Sequence, residues 1–357
     1  MKRVCFFYSN MSSKGGTVRC TSLIANAISE NSDMEVFIVD IKNDNDKVTF
    51  PLNKEIKYHS LNMKGILRNI LALRKYIIAN KIDILISVQA MMGIYSLPAA
   101  LFTRTKQIIW EHGNFYQKQS SKIDLVRWLE FKLCDMYITL TEKDKNTFQK
   151  YFSGKCTVDY IYNPVILPKS EAKYNRTSKK IISVGIIRKI KGFDMLVDVA
   201  KIVLKRYPDW TWEIYGDKTS FIKDVEEIEH KIKSNYLEDK LILSGNIEEI
   251  ESMYQNSGLI VMTSRMEGLP MTLLEAKANK LPIISFDIQT GPSEIIQNGE
   301  NGYLIQPFDL KSMADKICDL LGDTDLRQSF SNKSYNDINK FSLEKITEKW
   351  IDVIKSV

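Results

Sequence analysis

Two glutamates eight residues apart, Glu267 and Glu275 in "EGLPMTLLE", offer the clearest chemistry in this chain. Gly268 and Pro270 come just after the first of them, and helix formers follow the proline. Pro270 suits the first position of a helix, where its missing N–H costs nothing. Asn279 can close that helix as a left-handed cap in place of glycine. The amino end of such a helix presents unpaired N–H groups and a partial positive charge, which together suit a phosphate. Glu267 precedes that end, and Glu275 stands about 7 Å further along the axis at roughly 1.5 Å per residue. A carboxylate, a phosphate cradle and a second carboxylate then lie along one line. A nucleotide sugar has the matching order of sugar hydroxyls, diphosphate and ribose hydroxyls. A pair of solvated glutamates flanking a helix start is the plainer reading, and spacing alone leaves both open.

Other candidates fall at the ends of expected strands. His112, one of three histidines, ends "QIIWEHG", whereas His59 reads as a loop residue and His230 as part of a charged helix face. Gly15 and Gly16 follow the first strand, where bare backbone lets a ligand approach closely. The GxGxxG fingerprint of a dinucleotide site is absent, which weighs against an oxidoreductase. Two acid-x-acid triplets, Asp44–Asp46 and Asp323–Asp325, are read as turn chemistry rather than metal ligands.

The elements that must carry these residues alternate strand and helix. "RVCFFYS", "EVFIVD", "IDILISV", "QIIWEHG" and "MYITLT" read as strands, with helices such as "VRCTSLIANAISE" and residues 65–81 between them. In 65–81, Ile66, Ile70, Leu73 and Ile77 recur at helical spacing. A polar stretch at 163–180 interrupts the rhythm, which restarts at "KIISVG" and runs through "WTWEIYG", "KLILSG", "GLIVMTS" and "LPIISFD". Two α/β domains, each a doubly wound parallel sheet, follow, with ligands expected at the carboxyl ends of the strands. The domains are placed at 1–165 and 178–338, with a last helix at 339–357.

Length and composition agree with this. The chain has 357 residues, 44% hydrophobic and 26% charged, an ordinary globular balance for about two domains. Five cysteines without a CxxC pair argue against a disulfide framework or zinc ribbon and for a reducing cytoplasm. The apolar run in "MKRVCFFYSN" is too short for a signal peptide. Ile84 to Phe102 is 19 residues without a charge, but Gln89, Ser96 and Pro98 favour a buried strand and helix over a membrane span. Residues 1–170 carry 24 Lys+Arg against 15 Asp+Glu, a net +9, and residues 171–357 carry 26 against 29, a net −3. No nucleic-acid-binding signature accompanies the basic half, so an anionic membrane surface or a phosphate-bearing substrate is its better partner.

The stretch "SRMEGLPMTLLEAKANKLPIISFDIQTGPSEIIQNGENGYLI" resembles the donor signature of the retaining glycosyltransferases of family 4. "SSKGGTVR", "EHGNF", "TLTEKDK", "YNPV" and "SVGIIRKIKGFD" extend the resemblance over nearly the whole chain. It implies the type B glycosyltransferase fold, two Rossmann-like domains facing across a cleft, with the last helix crossing back to the first. The first domain would bind acceptor and the second the nucleotide-sugar donor. By position, Glu267 would lie beside the donor sugar and Glu275 would hold the ribose. The amides of Met271, Thr272 and Leu273, near Gly268, would meet the diphosphate. Lys191, after the strand end at Gly185, matches a phosphate-neutralising lysine. The family's arginine directly after the glycine is replaced by Ile186, with Arg188 two residues on as a candidate substitute. His112 would lie near donor sugar and acceptor, and Gly15 and Gly16 near the phosphate and acceptor.

The resemblance further implies transfer of a hexose or N-acetylhexosamine, with UDP preferred over GDP, to a glycan or a lipid-diphosphate-linked acceptor. The setting would be synthesis of bacterial capsule, lipopolysaccharide or exopolysaccharide, with retention of anomeric configuration. Covalent and front-face routes both stay open. Fixed cations can stabilise the departing diphosphate more in the transition state than in the ground state, so no metal and no cofactor is expected. The location implied is cytoplasmic, with peripheral contact at the inner face of the cytoplasmic membrane. A nucleotide-sugar epimerase of the same architecture and a non-catalytic sugar-nucleotide binder are the rival readings.

Overall fold

The computed structural model describes all residues except 43–46, 117–120, 153, 155, 169–172 and 248, and the side chains of 121 and 122. The Asp44–Asp46 triplet lies outside the described residues. Two compact units divide the chain: Met1–Pro164 with Phe341–Val357, and Val165–Lys340.

The first unit runs β1 (Arg3–Tyr8), α1 (Gly16–Asn31), β2 (Glu35–Asp40), β3 (Lys57–Ser60), α2 (Ile66–Ala79), β4 (Ile84–Val88), α3 (Gly93–Ala100), β5 (Lys106–Trp110), α4 (Ser121–Leu133), β6 (Met136–Thr139), α5 (Glu142–Tyr151) and β7 (Thr157–Tyr160). Among the described residues its sheet has seven strands in the order β3-β2-β1-β4-β5-β6-β7, all parallel. Near-continuous apolar strands such as "VCFFY" and "ILISV" are what a sheet covered on both faces requires. Alternation sends Cys5 and Phe7 to one face, where they pack with Leu73, Ile77 and Ala99 of α2 and α3. Phe6 faces the other way, onto Trp110.

The second unit runs β8 (Lys180–Val184), α6 (Phe193–Arg206), β9 (Thr211–Tyr215), α7 (Ile222–Ser234), β10 (Leu241–Gly245), α8 (Ile250–Gln255), β11 (Leu259–Met262), α9 (Met271–Ala278), β12 (Ile283–Phe286), α10 (Pro292–Ile295), β13 (Gly302–Ile305), α11 (Leu310–Gly322) and α12 (Thr324–Lys333). Its sheet, again among the described residues, has six parallel strands in the order β10-β9-β8-β11-β12-β13. The final helix, α13 (Leu343–Ser356), belongs to the first unit and packs on α1. Its stripe of Ile346, Trp350 and Ile354 is fully buried, and Trp350 meets the Trp110 ring edge-on at 4.8 Å. Each unit is thus the doubly wound α/β arrangement read from the sequence.

Several local expectations are corrected. β3 and β7 are short strands whose half-polar sequences, "KYHS" and "TVDY", gave no apolar run to find. His59 consequently lies in β3, stacked on Tyr76 at 4.9 Å, rather than in a loop. Ile66 is half exposed instead of turned inward with Leu73 and Ile77, because it stands at the open first turn of α2. Pro270 caps α9 rather than opening it, and Asn279 keeps right-handed backbone while Lys280 takes the left-handed turn (φ +58°). The uncharged run at 84–102 is β4, a short 3-10 turn and α3, and among the described residues no helix is long and apolar enough to cross a membrane. All five cysteines are free thiols; folding brings Cys134 Sγ to 3.1 Å from Cys156 Sγ.

Candidate active site

In the second sheet the strand order reverses between β8 and β11, and the loops leaving these two strands lie side by side there. Such a switch point is where doubly wound sheets bind ligands. The loop after β8 carries Gly185, Ile186, Arg188 and, in a 3-10 turn at Lys189–Lys191, Lys191. Gly192 follows with φ +69°, and a Cβ there would stand 2.0 Å from the Thr263 carbonyl oxygen, so only glycine lets the two loops approach this closely. Arg265 locks them further. It donates to the Lys189 carbonyl and, through both Nη atoms, to the Asp194 carboxylate at 2.6 and 2.7 Å. Burial works against the Asp194 charge, yet the bonds from Arg265 hold its pKa below the usual carboxylate range.

That closeness joins Lys191 to Glu267. The ammonium donates to Oε1 at 2.8 Å and to Oε2 at 2.9 Å, and Ser264 Oγ donates to Oε1 at 2.6 Å. Thr290 Oγ1 donates to the Glu267 carbonyl at 2.9 Å, tying the loop to the turn before Gly291. Gly291 takes φ +101°, and a Cβ would press to 2.6 Å from the Gly268 carbonyl oxygen. Gly268 therefore sits in a loop held from both sides, immediately ahead of α9.

Glu275 lies on α9, nearly buried, and accepts from the Tyr254 hydroxyl at 3.0 Å; the same hydroxyl lies 3.2 Å from the Thr272 carbonyl oxygen. Met271 and Thr272 occupy the first turn of α9, where N–H groups have no acceptor within the helix. The Leu273 N–H is placed differently, because it donates to the Pro270 carbonyl at 3.1 Å. Arg188 is exposed and stacks its guanidinium over Phe221 at 4.8 Å. The structure thus brings Lys191 and Glu267 into one ion pair and gives Arg188 an aromatic partner instead.

In the first sheet the order reverses between β1 and β4. Gly15 caps α1 just beyond β1 with extended backbone that any residue adopts, and no atom lies within 4 Å of where its Cβ would stand. Gly16 opens the helix. Nothing within reach of its Cβ position requires a glycine at 15. His112 follows β5, its ring 4.3 Å from Trp110, and its Nε2 is buried without a hydrogen-bond partner. Burial lowers the imidazole pKa to about 3, so the ring is neutral at physiological pH.

Sequence reading missed the supports of both loops. Ser264 and Arg265 directly precede Glu267 and were open to inspection, but Tyr254 lies 21 residues from Glu275 with no local signal. Around His112 the missed residues are Glu111, Arg127 and Asp144. Arg127 donates to Glu111 Oε2 at 3.0 Å and to the Asn114 and Phe115 carbonyls, and Asp144 accepts the Phe115 N–H at 3.1 Å. Burial raises the Asp144 pKa to about 6 despite that bond. Of the acid-x-acid triplets, Asp323 caps α12 through Leu326 N–H and Asp325 pairs with Arg176.

Residues 168–337 match the family model for glycosyl transferases group 1, and residues 14–167 match that for glycosyltransferase family 4. Together the two matches span residues 14–337 and support a group 1 glycosyltransferase. Over 99% of its length it is 28% identical to an uncharacterized glycosyltransferase of Haemophilus influenzae and 25% identical to the amylovoran biosynthesis glycosyltransferase AmsD of Erwinia amylovora, each matched over 100% of its own length. A Campylobacter jejuni α-1,4-N-acetyl-D-galactosaminyltransferase acting on an undecaprenol-diphosphate-linked glycan is 23% identical over 100% of this glycosyltransferase and 99% of its own chain. Among solved structures, Staphylococcus aureus TarM with UDP superposes with a TM-score of 0.84 at 18% identity over 99% of both chains. Anabaena HepE with UDP and glucose superposes with a TM-score of 0.83 at 15% identity over 100% of both. These two likenesses establish the type B fold, and the relatives named above are bacterial glycosyltransferases, one of them of amylovoran biosynthesis.

Proposed function

We propose that this glycosyltransferase moves a hexose or N-acetylhexosamine from a UDP-sugar to a glycan or lipid-diphosphate-linked acceptor, with retention of configuration, in bacterial surface-polysaccharide synthesis. The observation that carries the reading is the α9 entrance. The Lys191–Glu267 pair precedes it, the Met271 and Thr272 amides open it, and the Glu275 carboxylate follows on the same helix. Glu267 faces the sugar, the helix end and Lys191 meet the diphosphate, and Glu275 holds the ribose. In the first unit, neutral His112 serves as a hydrogen-bonding group toward the acceptor side, and Gly15 and Gly16 offer backbone. The solved relatives with UDP or UDP and glucose support the choice of nucleotide.

Lys191, the helix terminus and Arg188 supply the positive charge, so the reaction needs no metal or cofactor. Arg188 must leave Phe221 to take part. Retention follows the family resemblance. A panel of UDP- and GDP-sugars, assayed in EDTA with and without a polyprenyl-diphosphate sugar acceptor, tests this: acceptor-dependent release of UDP is expected. Release from none of the donors, or only with added manganese, overturns it.

The acceptor reading also gives a role to an exposed apolar face of the first unit. Leu67, Leu71 and Ile78 of α2 point outward, and Arg74 ties that helix to the end of α3, beside exposed Leu101 and Phe102. α3 packs between α2 and α4, and α4 turns Leu125, Trp128 and Leu133 outward. Residues 61–82 hold Lys64, Arg68, Arg74, Lys75 and Lys81 and no more than one acid between them and Trp110, Asp83. Apolar side chains among cations suit an anionic lipid surface carrying the acceptor.

A further inference from the structure

The segment Glu111–Phe115 carries His112 out of the sheet, and three buried side chains hold it at nearly every residue except the histidine itself. Glu111, at the end of β5, bends its carboxylate back so that Oε1 accepts the Gly113 N–H at 2.9 Å. Its Oε2 accepts from Arg127 Nη2 at 3.0 Å and from the Tyr137 hydroxyl at 3.2 Å. Arg127 reaches over the loop from α4, donating to the Asn114 carbonyl at 3.0 Å and the Phe115 carbonyl at 3.2 Å. Asp144, at the start of α5, accepts the Phe115 N–H at 3.1 Å. Arg127 and Glu111 are 3% and 4% exposed, so their bonds are made away from competing water.

This arrangement is unusual for a helix such as α4. Arg127 faces the interior while Leu125, Trp128 and Leu133 face out. A leucine at 127 would cover the sheet as well, at no desolvation cost; the fork of a guanidinium is needed only because two loop carbonyls and a carboxylate converge there. Lysine carries the charge but cannot span three acceptors.

We propose that Arg127 is a positioning residue: through Glu111 and the 114–115 carbonyls it fixes the backbone on either side of His112 and so sets where the imidazole stands. This rests on the role given to His112 above. Asp144 is the second, independent tie. The expected cost of releasing the loop is the cost of misplacing a reacting group, roughly 10- to 100-fold in kcat for a shift on the order of 1 Å.

The test uses the full chain and the Arg127→Lys variant, with Asp144→Ala, which removes the Phe115 tie but leaves the Arg127–Glu111 bonds, as the second variant should the first not fold. Three histidines make ring signals countable in a histidine-labelled sample, and His112→Ala identifies its own by deletion. Arg127→Lys is expected to shift or broaden the His112 signal while those of His59 and His230 stay in place and thermal melting remains cooperative. An unmoved His112 signal overturns the clamp. Kinetics supply the second readout, using UDP-glucose or UDP-N-acetylglucosamine, whichever supports turnover. Arg127→Lys should lower kcat in the wild-type background and by less than about 2-fold in His112→Ala, since residues acting as one unit are not additive. Equal losses in both backgrounds overturn the proposal. Failure of the wild-type chain to turn over any nucleotide sugar sinks the functional reading instead, and leaves the ring signals to decide the clamp.

Discussion

Lys191 Nζ lies 2.8 Å from one carboxylate oxygen of Glu267 and 2.9 Å from the other. The lysine assigned to a phosphate and the glutamate assigned to a sugar are therefore each other's partners. Their side chains are 27% and 11% exposed, so the pair is half sheltered from water. On the proposed roles, the donor diphosphate competes with Glu267 for Lys191. Glu267→Gln removes the competing charge. We expect kcat to fall by roughly 100-fold or more, while nucleotide affinity holds or improves slightly. Lys191→Met should weaken both. Parallel losses of affinity and turnover in Glu267→Gln would mean that this carboxylate only binds.

Glu275 is expected to behave in the opposite way. Its carboxylate is nearly buried and accepts from Tyr254, and the role proposed for it is to accept bonds from two ribose hydroxyls. Hydrogen bonds to a charged group contribute about 1.5–3 kcal/mol, so Glu275→Ala should weaken UDP binding by roughly 10- to 150-fold. Tyr254→Phe, which frees the carboxylate to move, should cost less. Calorimetry with UDP reads both, and unchanged affinity in Glu275→Ala would remove the ribose assignment.

The pKa of His112 gives a pH dependence with a definite sign. Burial lowers it from 6.5 to about 3, so below pH 6.5 the unfolded chain binds a proton at this site that the folded chain refuses. This group therefore reduces stability as the pH falls from 6.5 toward 3, by at most about 1.4 kcal/mol per pH unit. Above pH 6.5 it has no effect. His112→Gln keeps a neutral polar side chain and should flatten the acid limb of a urea-denaturation series between pH 6.5 and 5. Identical limbs for variant and wild type would show that the ring is protonated in the folded protein.

How far these sites could be read from sequence depends on how local their signals are. The strands rich in Val, Ile and Phe, the restart after 163–180 and the helix that follows Pro270 are local patterns, and the folded chain has them. β3 and β7 are edge strands with half-polar sequences, where burial is too slight to write an apolar run. Glu267, Glu275 and Lys191 stood out in the sequence because a motif marks each one. That Lys191 and Glu267 are bonded was not legible, because 76 residues separate them and the contact depends on Gly192 meeting Thr263. Arg127 was invisible for the same reason: its helix looks like any other amphipathic stretch until the face it buries is known.

The last helix supplies a stability prediction. Trp350 is fully buried against Trp110, the residue two before His112, with Ile346 and Ile354 on the same stripe. Emptying a site of this size typically costs about 3–5 kcal/mol. Trp350→Ala should therefore lower the melting temperature by several degrees, and Trp350→Phe by much less. A melting curve unchanged by Trp350→Ala would refute the packing of α13 on the first unit.

The final prediction concerns the exposed face of α2 and α4. A solvated helix covering a sheet has no reason to turn Leu67 (76% exposed) and Leu71 (65% exposed) outward beside Arg68 and Lys75, nor the turn after α3 to present Phe102 at 93% exposure. An anionic bilayer satisfies both kinds of side chain. Each basic residue near such a surface contributes about 1 kcal/mol, weakened by salt, and each buried CH₂ adds about 0.8 kcal/mol that salt does not weaken. A second copy of the chain on this face would instead set Arg68, Arg74 and Lys75 against their own kind. The protein should sediment with phosphatidylglycerol vesicles at low salt, partly detach as salt rises, and ignore phosphatidylcholine vesicles. Leu67→Ser combined with Leu71→Ser should remove the salt-resistant fraction, and Arg68→Gln with Lys75→Gln the salt-sensitive one. Protein left in the supernatant with anionic vesicles at low salt would mean that this face meets no lipid and that the acceptor arrives by another route.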